Sequence, residues 1–320
     1  MNLAIDGNYI LNRNVFPLVK DRLLYGHLYD SLQKSLDTYS KWYPFKNIYF
    51  ISDSRTNWRK NIYPDYKGNR KKSDDIDWEF VYSTYAEFKN NLPKRIKLLE
   101  TDLVEGDDWF YYLCNHHNKK KESVLMVSAD GDLQQMIKTG DTHINLMVNE
   151  NHRYNNIFLP EEYKTWLSNR YSTMPLPGLF DDYSEDHDEL KFIESLVSTR
   201  EVKDVDPLYV IFEKLVAGDR GDNIKTVWGK LDKKGNLRGL GAKSAEKLYQ
   251  MYLEYFSYPT FDEECFDRIT DVIIEFKKLN SSEFDSINEK IIFNNTLVNF
   301  DEIPNGIIDR IKDTHGKVNQ

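Results

Sequence analysis

Along the first half of the chain, short apolar runs keep ending at acids. Leu3-Ala4-Ile5 runs into Asp6-Gly7-Asn8, and Asn47 to Ile51 (NIYFI) runs into Ser52-Asp53. Ile96 to Leu99 is followed by Val104 to Leu113 (VEGDDWFYYL), with Glu105, Asp107 and Asp108 at its opening. Ser123 to Ser128 (SVLMVS) leads into Ala129-Asp130-Gly131-Asp132, and His143 to Val148 is a further run. Such short runs without alternation read as strands buried on both faces. Between them lie stretches with helical spacing. Asp21 to Trp42 carries Leu24, Leu28, Leu32 and Leu36, and Asp77 to Leu92 carries Trp78, Val81, Tyr85 and Phe88. Val104 to Leu113, Leu133 to Ile137 and Pro160 to Tyr171 are expected to be helical too. Strands alternating with helices imply an α/β fold with a doubly wound, mainly parallel sheet. Ligands in such sheets gather outside the carboxyl ends of the strands. Taken singly, each acid also fits a strand-ending turn or a helix opening, where the dipole tolerates negative charge.

A second concentration of chemistry lies in Gly218 to Leu248. Its first half, GDRGDNI, spaces Asp219 and Asp222 as on one face of a helix, where like charges repel and a divalent cation would compensate. Its second half, GLGAKSAEKL, places Gly239 and Gly241 before a helix opening near Ala242, with Lys243, Ser244 and Lys247 around it. Glycines let a backbone approach a ligand closely, and helix N-termini favour phosphate. GDxxDN also fits a solvated loop with an N-cap, and GxGxKS a helix start with no ligand. Val227 to Arg238 reads as a hairpin around Lys233-Lys234-Gly235.

A third segment, RTNWRKNIYPDYKGNRKK, interleaves Arg55, Arg59, Lys60, Lys67, Arg70, Lys71 and Lys72 with Trp58, Tyr63 and Tyr66. Basic groups hold phosphates and aromatic faces stack on unpaired bases; a solvated loop has the same composition. His116 and His117 are expected on the surface, because hard cations prefer oxygen.

In this order the segments resemble the 5′-nuclease family: flap endonucleases, the 5′-nuclease domain of bacterial DNA polymerase I, and phage 5′-3′ exonucleases with ribonuclease H activity. The family form is GDxxDN, a short turn, then GxGxK[ST]A; the turn here is longer. The resemblance covers roughly residues 3 to 250 and is closest in character to the phage members. It implies a PIN-like sheet, a helical arch at about 54–95, and a C-terminal helical DNA-binding region containing a helix–turn–helix. It implies metal ligands at Asp6, Asp53, Glu105, Asp107, Asp130, Asp132, Asp219 and Asp222, with Asp108 acting through water and the Asp130–Asp132 pair bridging two ions. Two Mg²⁺, replaceable by Mn²⁺, would lie roughly 4 Å apart, with a monovalent cation at the helix–turn–helix. Lys67 and Arg70 would face the scissile phosphate beside the catalytic Asp130. Arg55, Arg59, Lys60, Tyr66, Lys71, Gly239, Gly241, Lys243, Ser244 and Lys247 would meet nucleic acid. The implied activity is 5′-3′ hydrolysis of DNA flaps, duplex 5′ ends or RNA primers during replication, by a monomer. DNA and RNA–DNA hybrids are the expected partners, with a single-strand-binding protein or sliding clamp beside them. A PIN-like ribonuclease would not need GLGAKSA. A silent binding protein of the same fold should have lost ligands, and a structural acidic protein leaves the basic cluster unexplained.

The net charge of −9 argues against coating nucleic acid by bulk charge, though not against a local basic groove. Only Cys114 and Cys265 are present, so a reducing cytoplasm, the host's if phage-encoded, is expected rather than a disulfide framework. No apolar run approaches a membrane span, and no signal peptide is read at MNLAIDGNYIL. The expected organisation is a nuclease core at 1–172, an acidic linker at 173–205 that includes Pro175 to Glu189, and a helical region at 206–320 with an irregular stretch near Asn294 to Asn305.

Overall fold

The computed structural model describes residues 1–19, 22–150, 155–172, 185–235 and 237–319. In chain order the elements are β1 (Asn2–Asp6), α1 (Gly7–Val15), α2 (Leu28–Ser40), β2 (Ile48–Ile51), α3 (Arg59–Ile62), α4 (Trp78–Asn90), β3 (Ile96–Leu99) and α5 (Gly106–Asn118). There follow β4 (Val124–Val127), a 3-10 turn (Gly131–Met136), β5 (Lys138–Thr139), β6 (Ile144–Glu150), β7 (Asn155–Pro160), α6 (Tyr163–Ser172), α7 (Glu185–Ser198) and β8 (Glu201–Val205). The remainder is α8 (Pro207–Ala217), β9 (Gly229–Leu231), β10 (Leu237–Gly239), α9 (Ala242–Tyr255), α10 (Glu263–Lys277), α11 (Phe284–Val298) and α12 (Asn305–Val318). The chain divides into two compact units. The first comprises Met1–Thr56, Ser73–Val205 and Gly306–Gln320; the second comprises Asn57–Lys72 and Asp206–Asn305.

The first unit is built on one sheet in the order β3-β2-β1-β4-β6-β7-β8, with β5 beside β6. The expected strands are all present and pair in parallel from β3 through to β6. β7 turns back antiparallel on β6, and β8 runs parallel to β7. The sheet is covered on one side by α2 and α4, whose Leu28, Leu32, Leu36, Val81, Tyr85 and Phe88 are buried. α5 packs on β1, β2 and β4. No helix among the described residues is long and apolar enough to cross a membrane.

Three sequence expectations change here. The helix expected from Asp21 begins at Leu28, after a 3-10 turn (Arg22–His27); Gly26 lowers the helical preference just before it, and Asp21 lies outside the described residues. Residues 185–205, expected as linker, hold α7 and β8, because Leu190, Ile193 and Leu196 recur at helical spacing and are buried. The rest of the acidic stretch, 175–184, lies outside the described residues. β8 itself has four exposed residues of five, with charges on an edge strand that discourage pairing with another chain.

The third concerns His116 and His117, which are not surface residues. His117 is only 2% exposed, and His116 is half-buried. His117 Nδ1 lies 2.6 Å from a Glu122 carboxylate oxygen, and its Nε2 lies 3.1 Å from Tyr49 Oη. A carboxylate only accepts, so Nδ1 carries the proton and Nε2 accepts from the tyrosine. The ring of His315, on α12, lies 4.7 Å from that of His116 between centroids, and its Nδ1 lies 3.3 Å from Tyr112 Oη. Burial, reinforced by neighbouring histidines and lysines, pushes His117 and His315 down to about 4. The His117–Glu122 contact at neutral pH is therefore a hydrogen bond and not an ion pair. Burial works against Glu122, but Lys46, His117 and Asn2 hold it down to about 2.

The second unit is helical. α8, α9, α10 and α11 enclose Phe212, Leu215, Leu248, Tyr252, Ile269, Ile273 and Ile291, and Tyr66 from the early segment joins the same core. β9 and β10 form the expected antiparallel hairpin, with Gly235 at φ 78 in its turn. Asn294 and Asn295, expected in an irregular stretch, lie in α11 and are buried. Asn294 Nδ2 donates to the carbonyls of Leu215 (2.9 Å) and Lys225 (3.0 Å), so a polar residue serves the packing.

Stability should fall on acidification. An unfolded histidine takes a proton near 6.5, whereas His117 and His315 resist to about 4 in the fold. The unfolded chain then binds more protons in that window, so the contribution is full above about 6.5 and is lost as pH falls towards 4. Melting at pH 5 should show a loss of about 2 kcal/mol for either histidine relative to pH 7, and His117→Gln should flatten the slope. A stability profile that is level between those pH values would contradict the buried neutral pair.

Candidate active site

Parallel register decides which acids meet. Asp6 pairs level with Ile51 of β2, and Ile5 with Val127 of β4. Asp53 and Asp130 therefore emerge just past the ends of the two strands that flank β1. Gly7 lets the chain turn there: a Cβ at this position would lie 2.6 Å from the Ile51 carbonyl oxygen. Asp6 caps α1, its Oδ1 accepting from the Asn8 N–H (2.9 Å) and the Tyr9 N–H (3.0 Å), while its Oδ2 accepts from Ser128 Oγ (2.6 Å). Asp53 Oδ1 accepts from the Gly106 N–H at the opening of α5 (2.6 Å), and its Oδ2 from Asn8 Nδ2. Asp130 Oδ1 accepts from the Asp132 N–H (3.0 Å). Burial pushes the Asp6 carboxyl up to about 6; the bonds from Ser128 and Tyr9 oppose this, and the charges of Asp53 and Asp130 add to it. Asp6 thus lies within electrostatic reach of both Asp53 and Asp130.

Glu105 is buried at the N-cap of α5, and Asp107 is half-buried in its first turn. Asp108 is fully buried, and its Oδ2 accepts from the Glu105 N–H (3.0 Å), a capping-box bond. Asp130 is exposed and Asp132 is half-buried. Among the described residues no three His, Cys, Asp or Glu side chains stand ready to hold a metal ion. The carboxylates Asp6, Asp53 and Asp130 each accept protein hydrogen bonds, and a carboxylate has about four lone-pair sites, so an ion can share it with those donors. The donor set is nonetheless all oxygen, crowded and partly desolvated, which suits a hard divalent cation.

In the second unit, Asp219 and Asp222 do not share a helix face. α8 ends at Gly218, whose φ of 73 is left-handed and whose Cβ would lie 2.5 Å from the Ile224 carbonyl oxygen. A turn follows in which Asp219 Oδ1 accepts from the Gly221 N–H (2.7 Å) and the Asp222 N–H (3.2 Å). Burial tends to raise Asp219, but Lys214, paired with its Oδ2, outweighs that and lowers it. Asp222 is buried at 7% exposure. Its Oδ1 accepts from an Arg70 guanidinium nitrogen (2.6 Å), its Oδ2 from Tyr66 Oη (2.6 Å), and its carbonyl from the Lys67 N–H (2.9 Å). The Lys67 ammonium lies 4.0 Å from the same carboxylate and 5.0 Å from the Tyr66 ring centroid. The PDYKGNR and GDRGDN segments are thus clasped to each other within one unit.

The expected nucleic-acid residues separate by exposure. Arg55, Lys60, Arg70, Lys71, Lys243 and Lys247 are exposed and Lys67 and Ser244 half-buried; Gly239, at the end of β10, and Gly241, at the N-cap of α9, are exposed too. Arg59 and Tyr66 are corrections. Arg59 is 2% exposed, donates to the Leu297 carbonyl (2.9 Å) and stacks on Trp58; Tyr66 is 3% exposed and bonded to Asp222. The Leu297 carbonyl and the Trp58 and Phe300 rings hold Arg59 inside, and Asp222 holds Tyr66. Sequence reading passed over Asn8, Ser128 and Lys214, each bonded to an acid of the set. Their only signal was adjacency to the acids, in DGN, SAD and the last turn of α8.

A mainly parallel sheet edged by acids, and a helical unit that clasps its own basic segment, define a two-unit α/β protein with a carboxylate-lined strand edge. Residues 1–164 match the family model described as 5′-3′ exonuclease, N-terminal resolvase-like domain, and the chain belongs to that family. It is similar to the 5′-3′ exonucleases of two subspecies of Buchnera aphidicola. One, from Buchnera aphidicola subsp. Schizaphis graminum, is 28% identical over 152 residues, 46% of this chain and 52% of that protein. The other, from Buchnera aphidicola subsp. Baizongia pistaciae, is 28% identical over 193 residues, 57% and 59% of the two chains. The matched stretch thus spans little more than half the length of these curated relatives. Among solved structures, the T5 5′-exonuclease with bound zinc aligns over 99% of this chain and 97% of its own, with TM-score 0.56 and 17% identity. A phage T5 flap endonuclease in a pseudo-enzyme–product complex with DNA and metal ions aligns over 100% of both, with TM-score 0.52 and 16% identity. At such identity these two speak for the fold.

The charge crowding at Asp6 has a measurable sign. In chelator, Asp130→Asn removes a neighbouring charge while its amide oxygen can still accept the Asp132 N–H. The variant should melt higher than the parent, by about 0.5–2 kcal/mol. A lower melt would show that the Asp130 charge is no burden to the fold.

Proposed function

We propose that the chain is a divalent-metal-dependent 5′-3′ nuclease that hydrolyses phosphodiester bonds in DNA flaps, duplex 5′ ends or the RNA strand of RNA–DNA hybrids. The observation that carries this reading is the convergence of Asp6, Asp53 and Asp130 at three neighbouring strand ends, with Glu105 and Asp107 at the opening of α5. Family membership supports it. In this reading Asp6, Asp53, Glu105, Asp107, Asp130 and Asp132 hold Mg²⁺, or Mn²⁺ in its place, whereas Asp219 and Asp222, each paired with a cation of its own unit, would hold an ion only on releasing Lys214 and Arg70. Bound ions of this kind acidify water and neutralise charge on the phosphodiester in the transition state.

The chain's own groups do the rest. Lys67 and Arg70 supply positive charge, and their clasp to Asp222 fixes where that charge sits. Lys243 and Lys247, exposed at the start of α9, are suited to duplex phosphates. Gly241 at the N-cap has no side chain to cover the helix amides, which leaves that end open to an anion.

The deciding experiment is a cleavage assay on a 5′-flap duplex in Mg²⁺. Asp130→Ala should lower the single-turnover rate by roughly 10³-fold and leave DNA binding nearly intact. Full activity of the purified variant would sink the assignment. Lys243→Ala should weaken duplex binding and reduce the slope of log K against log salt by about 1. An unchanged slope and affinity would return GLGAKSA to a plain helix start.

A further inference from the structure

Two uncharged side chains outside the acid set tie its members together. Ser128 lies at the end of β4 and is completely buried. Its hydroxyl donates to Asp6 Oδ2 (2.6 Å), and its oxygen accepts the Asp130 N–H (3.0 Å). A serine hydroxyl has one proton to give and lone pairs to receive, so this one group links the acid of β1 to the acid segment after β4. Asn8 does the same on the other flank. Its side-chain Nδ2 donates to Asp53 Oδ2, while its backbone N–H donates to Asp6 Oδ1 (2.9 Å). The chain of bonds therefore runs Asp53, Asn8, Asp6, Ser128, Asp130 across three neighbouring strand ends.

We infer that Ser128 and Asn8 are positioning residues for the divalent cation, fixing the carboxylates of Asp6 and Asp53 and the backbone of Asp130 before the ion arrives. The inference rests on the reading of this edge as an ion site. Its physical basis is that neutral donors hold mutually repelling carboxylates without adding a positive charge that would exclude a cation. A lysine in either place would occupy the site itself. Outer donors of this kind orient ligands, and their loss commonly lowers metal affinity by about 10–100-fold.

The test uses the full chain and free Mn²⁺ as probe, read by electron paramagnetic resonance at a temperature where circular dichroism shows every variant folded. Ser128→Ala and Asn8→Ala should each weaken Mn²⁺ binding by about 10–100-fold. The metal concentration giving half-maximal cleavage should rise in step, with KM for flap DNA at saturating metal unchanged. Ser128→Cys, close in size but a weak donor, should behave like Ser128→Ala, which covers the case in which the alanine variant does not fold. A merely structural role would lower melting temperature in chelator yet leave the Mn²⁺ affinity of the folded protein within about two-fold of the parent, and that result overturns the inference. Asp130→Ala separates the two levels. If it loses Mn²⁺ while the Ser128 and Asn8 variants keep it, the positioning role alone fails. If it also binds like the parent, the ion-site reading fails and the inference with it.

Discussion

Parallel strands open onto the same edge of a sheet, and here acids stand at or just past the ends of β1, β2 and β4. Their mutual repulsion is the constraint to which the first unit is fitted. It is answered locally: Asp6 caps α1, Asp53 meets the opening amide of α5, and Asp130 accepts the amide two residues on. Each negative charge thus sits at the positive end of a helix or turn, which offsets part of its cost. The same carboxylates that favour a cation also start the elements that follow the strands, so fold and site share atoms.

The second unit meets its own version of the problem by pairing. Lys214 answers Asp219, and Arg70 and Tyr66 answer Asp222. Among the non-glycine residues with left-handed backbone in this unit are Lys67 at φ 57 and Asn223 at φ 62. Both lie on the clasp, where the Lys67 N–H donates to the Asp222 carbonyl and Asn223 Nδ2 to the Asp65 carbonyl (2.9 Å). Backbone of this kind persists where its surroundings over-determine it.

The strands and their acid tips were legible because period and composition change sharply at Asp6, Asp53 and Asp130. The first helix was missed because it follows β1 with no loop between them, Asp6 both ending the strand and capping the helix, and β7 and β8 because NNIFLP opens on two asparagines and EVKDV is mostly charged. His117, Arg59 and Tyr66 were read as exposed because polar type is a poor guide to burial when a specific partner waits in the fold. Those partners, Glu122, Leu297 and Asp222, are 5, 238 and 156 residues away. Nothing in local sequence announces the two distant ones. The spacing of Asp219 and Asp222 was informative, but Gly218 made it a turn and not a helix face.

The second unit is assembled from two distant pieces of chain, and this has a consequence for synthesis. Residues 57–72 leave the ribosome long before the helices that enclose them. Arg59 waits for Leu297, 238 residues later, which at ordinary elongation rates is roughly 10–50 s. Through that interval Trp58, Tyr63 and Tyr66 have no core to enter. The positive charges interleaved with them keep the waiting segment hydrated and mutually repelling, so its basic character guards a nascent chain against premature association as well as suiting it to phosphate.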